Sequence, residues 1–149
     1  MSFELVEQGL DALLAELSEE ADSLAGSHTG WVWEQGKDIK GWEDRSRLAF
    51  TSKRTGDSIV LYWHQVRWMG TAANKTRRSV LTWIRKPKDS NSYTMEKLLS
   101  YAKDWEVQKV KETEKQAALL RRKLKAYQRL AFAFRVAKTE YEVAKLSEE

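Results

Sequence analysis

The chain has 149 residues, of which 42% are hydrophobic, and a formal net charge of +4. This length suits one folded domain with its own core, because two domains of ordinary size need more residues. The absence of cysteine and the presence of only two histidines exclude disulfides and cysteine nucleophiles, and leave little from which to build a zinc site. No apolar stretch approaches the roughly 20 residues that cross a bilayer, and the acidic start is unlike a signal peptide. We therefore expect a cytoplasmic protein without a membrane segment.

The first predicted element is an amphipathic helix from Ser2 to about Leu24. Apolar residues recur there at three- and four-residue spacing, Ser2 is a suitable cap, and Gly26 offers a natural end. The Gly- and Ser-containing stretch at residues 26–30 predicts a turn, and Trp31–Trp33 fits a short first strand.

An antiparallel sheet is predicted next. Residues 45–53 alternate between apolar and polar and end at a Gly-Asp hairpin turn. Residues 58–69 are rich in Ile, Val, Leu, Tyr and Trp on both faces, so we expect the central strand, covered on each side by a helix or a second subunit. After a loop at residues 70–76, residues 79–85 predict a further strand, which the single proline terminates.

A long helix is predicted at the C-terminal end, because neither Gly nor Pro occurs after residue 93. Unbroken, it would be about 80 Å long, so it either projects as a coiled coil or folds back through residues 106–116, where the apolar period fades. A stripe at heptad spacing predicts a helix–helix seam and, as a hypothesis, a homodimer. The stripe consists of Ala117, Leu120, Leu124, Tyr127, Ala131 and Phe134.

These elements predict an α+β fold: a small antiparallel β-sheet of three to four strands, an N-terminal helix, and a long C-terminal helix or helical hairpin. Residues 1–92 would hold the first helix and the sheet. Residues 93–149 would form a basic helical extension that packs on the sheet or forms a coiled coil, the two parts making one folding unit.

Charge is distributed unevenly along the chain. Residues 1–30 hold seven acidic residues and no Lys or Arg, whereas residues 31–92 hold thirteen basic against six acidic residues. Two stretches, 58–88 and 115–139, carry fifteen cations and no acid. Such a field attracts polyanions, and nucleic acid is the commonest polyanion in the cytoplasm. The alternative is that these cations only form a solvated face.

Two groups of residues are predicted to contact nucleic acid. On the C-terminal helix, cations fall within an arc of about 120° opposite the apolar stripe, where they can meet phosphates; they are Lys115, Arg121, Arg122, Lys125 and Arg129. In the loops and strands, Arg can bind phosphates or base edges and Trp68 can stack on a base. The second group consists of Arg67, Trp68, Lys75, Arg77, Arg78, Arg85, Lys86 and Lys88.

The remaining aromatic and titratable residues suggest structural roles. Trp33, Trp63 and Trp83 are predicted to pack in the core. The chain has no Gly-rich phosphate loop, no nucleophile elbow and no metal-binding His motif, and His64 fits a strand position better than a catalytic base. We therefore expect no catalytic residue, no bound metal, no cofactor and no enzymatic activity.

The layout of the chain resembles MobI-type conjugative transfer proteins, which are accessory mobilisation factors of integrative conjugative elements and conjugative plasmids. The likeness includes the acidic first helix, the Trp-Val-Trp segment at 31–33, the strands at 45–53, 58–68 and 79–86, and the Ala-Lys-Asp-Trp-Glu sequence at 102–106. It implies a protein that binds DNA at the origin of transfer and helps a relaxase or other mobilisation proteins to assemble there. It supplies no residue-level motif, so the DNA-contacting residues above rest on charge geometry alone.

A second interpretation remains open at this point. The chain is also compatible with a protein–protein adaptor or antitoxin-like regulator that dimerises through its C-terminal helix, with the charge serving solubility. In that case the acidic N-terminal helix would be free to fold over the basic face and mask it.

Overall fold

The computed structural model describes residues 3–71 and 73–148. In chain order, the elements are α1 (Phe3–Gly36), a 3₁₀ helix (Trp42–Asp44), β1 (Leu48–Thr55), β2 (Ser58–Met69), β3 (Arg78–Trp83), α2 (Met95–Tyr101), a second 3₁₀ helix (Asp104–Glu106) and α3 (Val107–Ser147). The predicted α+β fold is confirmed, with a three-stranded antiparallel sheet between an N-terminal helix and a long C-terminal helix. Residues of α1, the sheet, α2 and α3 share one hydrophobic core.

The first helix, α1, continues well beyond the end that the sequence predicted for it. Gly26 and Gly30 are exposed, with open space around them, so each weakens the helix by about 1 kcal/mol relative to Ala without ending it. The turn predicted at residues 26–30 and the strand predicted at Trp31–Trp33 are both helical, so these two predictions were wrong. The proposed cap, Ser2, lies outside the described residues.

Tertiary contacts hold the C-terminal half of α1 in its helical form. The Nδ1 atom of His28 lies 2.7 Å from the hydroxyl of Thr113 in α3. The indole of Trp31 stacks on Trp105, with ring centroids 6.0 Å apart, and the ammonium of Lys109 lies 5.8 Å from the Trp31 ring. Such contacts override weak local propensity, which explains why two glycines misled the sequence prediction.

We expect His28 to make the protein more stable at neutral than at acidic pH. Burial, with a smaller contribution from Lys109, lowers the pKa of His28 from 6.5 to about 4. Between these values the unfolded chain binds a proton that the folded chain does not. The contribution of His28 to the free energy of unfolding is therefore fully present above about pH 6.5, and it falls by about 3 kcal/mol as the pH drops towards 4.

The measurement is urea unfolding of wild type and His28→Gln at pH 7.5 and at pH 4.5. Glutamine keeps a hydrogen-bonding group near Thr113 but does not titrate, so between pH 7.5 and pH 4.5 the variant should lose about 2.5 kcal/mol less than wild type. Equal losses in both proteins would show that His28 does not control this pH dependence.

The sheet order is β1-β2-β3, so β2 is the central strand as predicted. In the register, Phe50 lies opposite Trp63, and His64 lies opposite Trp83. The turn between β1 and β2 places Gly56 at a φ of 60°, a left-handed conformation that glycine adopts without a steric cost.

The helices cover only one face of the sheet. Trp63 is fully buried on that face beside Phe50 and Leu61. The opposite face, here called the open face, has no helix of the described residues over it, and it contains Val60, Tyr62, His64, Val66, Leu81 and Trp83. Within residues 3–71 and 73–148, no helix therefore covers the second side of β2, and the alternative cover, a second subunit, stays a prediction.

Of the three tryptophans predicted to lie in the core, only Trp63 is there. Trp33, on α1, is 68% exposed, and Trp83, on the open face, is 58% exposed. Both predictions failed because periodicity identifies faces of a helix or a strand without saying which of them another element covers.

The long C-terminal helix begins later than predicted. The predicted helix is interrupted at residues 102–106, between α2 and α3. Residues 107–116 belong to the continuous helix α3, so the alternative of a fold-back through residues 106–116 was wrong. Glu106 is buried at this break and accepts hydrogen bonds from the hydroxyl of Ser46 (2.7 Å) and the backbone N–H of Lys103 (3.2 Å). Burial raises the pKa of Glu106, and these hydrogen bonds oppose the increase. The Glu106 carboxyl thus connects the start of α3 to the segment that precedes β1.

From this point α3 runs unbroken and antiparallel to α1. The rings of Phe3 and Phe134 lie 5.7 Å apart at one end of the pair, and an ion pair joins Lys123 to Glu20 at 3.0 Å nearer its middle. The predicted apolar stripe of α3 is part of the core formed with α1 and the sheet. The seam predicted from heptad spacing is therefore occupied within one chain, which leaves little of it for the hypothetical homodimer.

Candidate nucleic-acid interface

Arg121, one of the residues predicted to contact DNA, is buried instead. Only 9% of its side chain is exposed, and its guanidinium donates hydrogen bonds to Glu114 (2.9 Å), to the carbonyl of Leu61 (3.1 Å) and to the carbonyl of Asn91 (2.9 Å). With these donors engaged inside the protein, the side chain is not available to a phosphate. Arg121 therefore has a structural role, joining α3 to β2 and to the segment before α2.

Glu114, the partner of Arg121, connects α3 to the core of the sheet. Its carboxylate accepts hydrogen bonds from the indole N–H of Trp63 (3.0 Å) and the backbone N–H of Tyr93 (2.9 Å). Seven residues separate Glu114 from Arg121, so the two lie on the same side of the helix two turns apart. The stretch without acidic residues, 115–139, begins one residue after Glu114. The sequence analysis therefore did not pair Glu114 with Arg121.

The other predicted cations of α3 are exposed and lie along one face. None of them makes an ion pair or a side-chain hydrogen bond with another residue in the described ranges. Lys111 falls in the same arc but was missed, because it lies before the stretch without acidic residues, beside Glu112 and near Glu114 in sequence. These residues, called the α3 basic face, span about 27 Å of helix: Lys111, Lys115, Arg122, Lys125 and Arg129.

The acidic helix α1 does not mask the α3 basic face. It pairs with α3 through Glu20 and Lys123 at 3.0 Å and through Glu7 and Lys138 at 2.5 Å. At 100° per residue, both lysines lie outside the arc of the basic face. The masking suggested by the adaptor interpretation is therefore absent from the described part of the chain.

The segment after β3 adds cations near the middle of α3. Lys86 and Lys125 line one small surface pocket together with residues of β2. The ammonium of Lys86 donates to the carbonyl oxygens of Ser90 and Pro87, and its pKa is lowered by burial and then by the nearby charges of Arg121 and Lys125. Arg85 and Lys88, its predicted companions, are exposed.

The hairpin between β2 and β3 carries the rest of the predicted set at the other end of the sheet. Its cations are exposed: Arg67, Lys75, Arg77 and Arg78. The guanidinium of Arg77 lies 5.3 Å from the ring centroid of Trp42, and that of Arg47 lies 5.9 Å from the same ring. Trp42 lies in a polar stretch without a periodic signal, so this cluster of one aromatic and two cations was missed.

Trp68 lies at the end of β2 in a cleft that contains two other tryptophans. The cleft has a volume of about 390 Å³ and is lined by Trp33, Trp68 and Trp105, by Arg45 before β1, and by residues at the end of α1. Its aromatic walls and cationic edge match the residue types that stack on unpaired bases. The structure thus divides the predicted residues between two places, the side of α3 near the start of β2 and the hairpin end of the sheet.

Residues 3–71 and 73–148 contain no group of three or more His, Asp or Glu side chains that could hold a metal ion. None of the helices in these ranges has an apolar stretch long enough to cross a bilayer.

Comparison with known proteins gives one match. A family model described as MobI protein matches residues 17–135, from the first half of α1 to the C-terminal part of α3, and so includes the sheet and the whole α3 basic face. No curated protein and no solved structure matches the chain.

Proposed function

The chain belongs to the MobI family, which gives it a role in conjugative mobilisation. On that premise we propose that it is a non-catalytic accessory protein that binds duplex DNA at the origin of transfer. The observation that carries the proposal is the α3 basic face. Its five cations are exposed, lie in one row and have no carboxylate partner among the described residues. A row of this kind binds a phosphate backbone through charge and through release of counterions.

We assign phosphate binding to the α3 basic face and sequence recognition to the hairpin end. Contacts to phosphates orient a protein on DNA but do not read its sequence. Arg77 and Arg78 are exposed at the β2–β3 hairpin, and an Arg bound to a guanine edge supplies about 1–3 kcal/mol of discrimination between bases. Trp68, in its cleft, completes the set as a residue that would stack on a base left unpaired beside the duplex.

The exposed acidic side of α1 is our proposed surface for a relaxase or another mobilisation protein. It carries Asp11, Glu16 and Glu19, which are exposed. A surface of this charge favours a basic partner and leaves the α3 basic face free for DNA. The assembly would form in the cytoplasm, and the protein would help the relaxase assemble without taking part in the chemistry.

Nuclease footprinting on the origin-of-transfer region of the protein's own genetic element tests this function. We expect a protected site that persists against an excess of unrelated duplex. With relaxase present, the protein should increase relaxase occupancy at the nearby nick site. If the nuclease cleaves the DNA at every position at protein concentrations up to about 10 μM, specific binding is excluded. Specific DNA complexes usually have Kd values of about 10⁻⁸ M or lower.

A further inference from the structure

Trp83 has an unusual position for a large aromatic side chain on a sheet. It lies on the open face with its ring nearly parallel to that of Tyr62, at an interplanar angle of 4° and a centroid separation of 4.1 Å. Tyr62 is buried, whereas Trp83 is 58% exposed. One face of the indole thus packs on Tyr62, and more than half of the Trp83 side chain remains open to a ligand.

Apolar side chains lie near Trp83 on the open face. Val60 and Leu81 are exposed there, and Val66 lies opposite Leu81 in the register. His64 lies beside the stack, 5.3 Å from Trp83 between ring centroids. Burial lowers the pKa of His64, which favours the neutral form of this ring.

Cations lie at the borders of this apolar surface. Lys53 is opposite Val60 in the register, and the backbone of Arg47 is hydrogen-bonded to that of Val66. Arg85, which is exposed, follows Trp83 by two residues. The three strands contain no Asp or Glu. The surface therefore combines an aromatic centre with a positive border and has no strand carboxylate to repel a polyanion.

These features together match the chemistry of single-stranded nucleic acid. Unpaired bases stack on exposed aromatic rings of antiparallel sheets, while Lys and Arg beside them bind the phosphates. A duplex, whose bases are already stacked, cannot use such a surface in this way. An apolar surface that docks protein has no requirement for cations along its edges or for the absence of acids.

We propose that the open face binds single-stranded DNA, with Trp83 stacking on a base and with Arg47, Lys53 and Arg85 contacting the phosphates. The proposal rests on the proposed function in taking DNA as the ligand, but it adds a second site. That site lies on the opposite side of the sheet from α3, so duplex and unpaired strand would occupy different surfaces. A protein that assists strand transfer would then hold both forms of DNA at once.

The test compares Trp83→Ala with wild type in binding to a labelled 20-nucleotide oligothymidine and to a labelled 20-base-pair duplex. We expect the oligothymidine Kd to rise by about 5- to 150-fold, the range found for loss of one stacking residue, with the duplex Kd unchanged. Trp83→Phe should restore most of the oligothymidine affinity. Phe132→Ala, which removes another exposed aromatic, on α3, is the matched control and should leave both affinities unchanged.

The possible failures are distinguishable. If wild type binds duplex but Trp83→Ala binds oligothymidine as tightly as wild type does, this inference is wrong while the proposed function stands. If wild type binds neither the oligothymidine nor the duplex, both this inference and the proposed function are wrong. If Trp83→Ala leaves oligothymidine binding intact but abolishes binding to purified relaxase, the open face docks protein. Far-ultraviolet circular dichroism of each variant verifies that the fold is retained.

Discussion

Binding to duplex DNA should weaken by about 10²- to 10³-fold, at about 0.15 M salt, when four exposed cations of the α3 basic face are changed to glutamine: Lys115, Arg122, Lys125 and Arg129. Each lost phosphate contact gives up the release of about 0.9 counterion, so the four losses multiply. The loss should be similar for every duplex sequence, because phosphate contacts do not distinguish bases. Fluorescence anisotropy with a labelled duplex measures the change in Kd.

A control variant of equal net charge separates the position of the cations from their number. It changes four lysines outside the α3 basic face to glutamine: Lys97, Lys123, Lys138 and Lys145. Two of these lysines pair with α1 at the surface, where an ion pair contributes about 0–1 kcal/mol, so the fold should persist. We expect at most a tenfold change in duplex Kd. Equal weakening by the two variants would mean that net charge, and not the α3 basic face, attracts DNA.

The second large effect concerns stability. Arg121→Ala should lower the free energy of unfolding by about 3–5 kcal/mol, because it leaves the Glu114 carboxylate buried without its cation. It also deprives the carbonyls of Leu61 and Asn91 of their donors. Urea unfolding followed by tryptophan fluorescence measures this loss.

The neighbouring residue provides a matched control, because Arg122 is exposed and points away from the core. Arg122→Ala should change stability by no more than about 0.5 kcal/mol. The double variant Glu114→Gln/Arg121→Met should be less destabilised than Arg121→Ala, since it removes both buried charges together. A loss below about 1 kcal/mol in Arg121→Ala would show that the buried pair does not stabilise the fold.

The sheet was predictable because its signals are local. The hairpin turn before Ser58 and the long run of β-branched and aromatic residues define β2 to its ends. The length of α1 was not predictable in this way. Its second half depends on His28 and Trp31 meeting residues of α3 and the Trp105 segment, which are distant in sequence.

The site was predictable only where helical geometry decides it. The arc calculation correctly separated Arg122, Lys125 and Arg129 from the apolar stripe, and all three are exposed. It failed for Arg121 at the edge of the arc, because the core extends past the stripe to include Glu114. Long side chains at such an edge reach either solvent or a buried partner, and spacing alone does not determine which.

The central claim is that the α3 basic face meets the phosphates of duplex DNA. Its most direct test is the binding constant of wild type for the origin-of-transfer duplex, measured as a function of salt concentration. Five phosphate contacts predict that the logarithm of this constant falls against the logarithm of salt with a slope of about −4.5, or about −0.9 per contact. A slope near zero, or no measurable binding at low salt, would contradict the account.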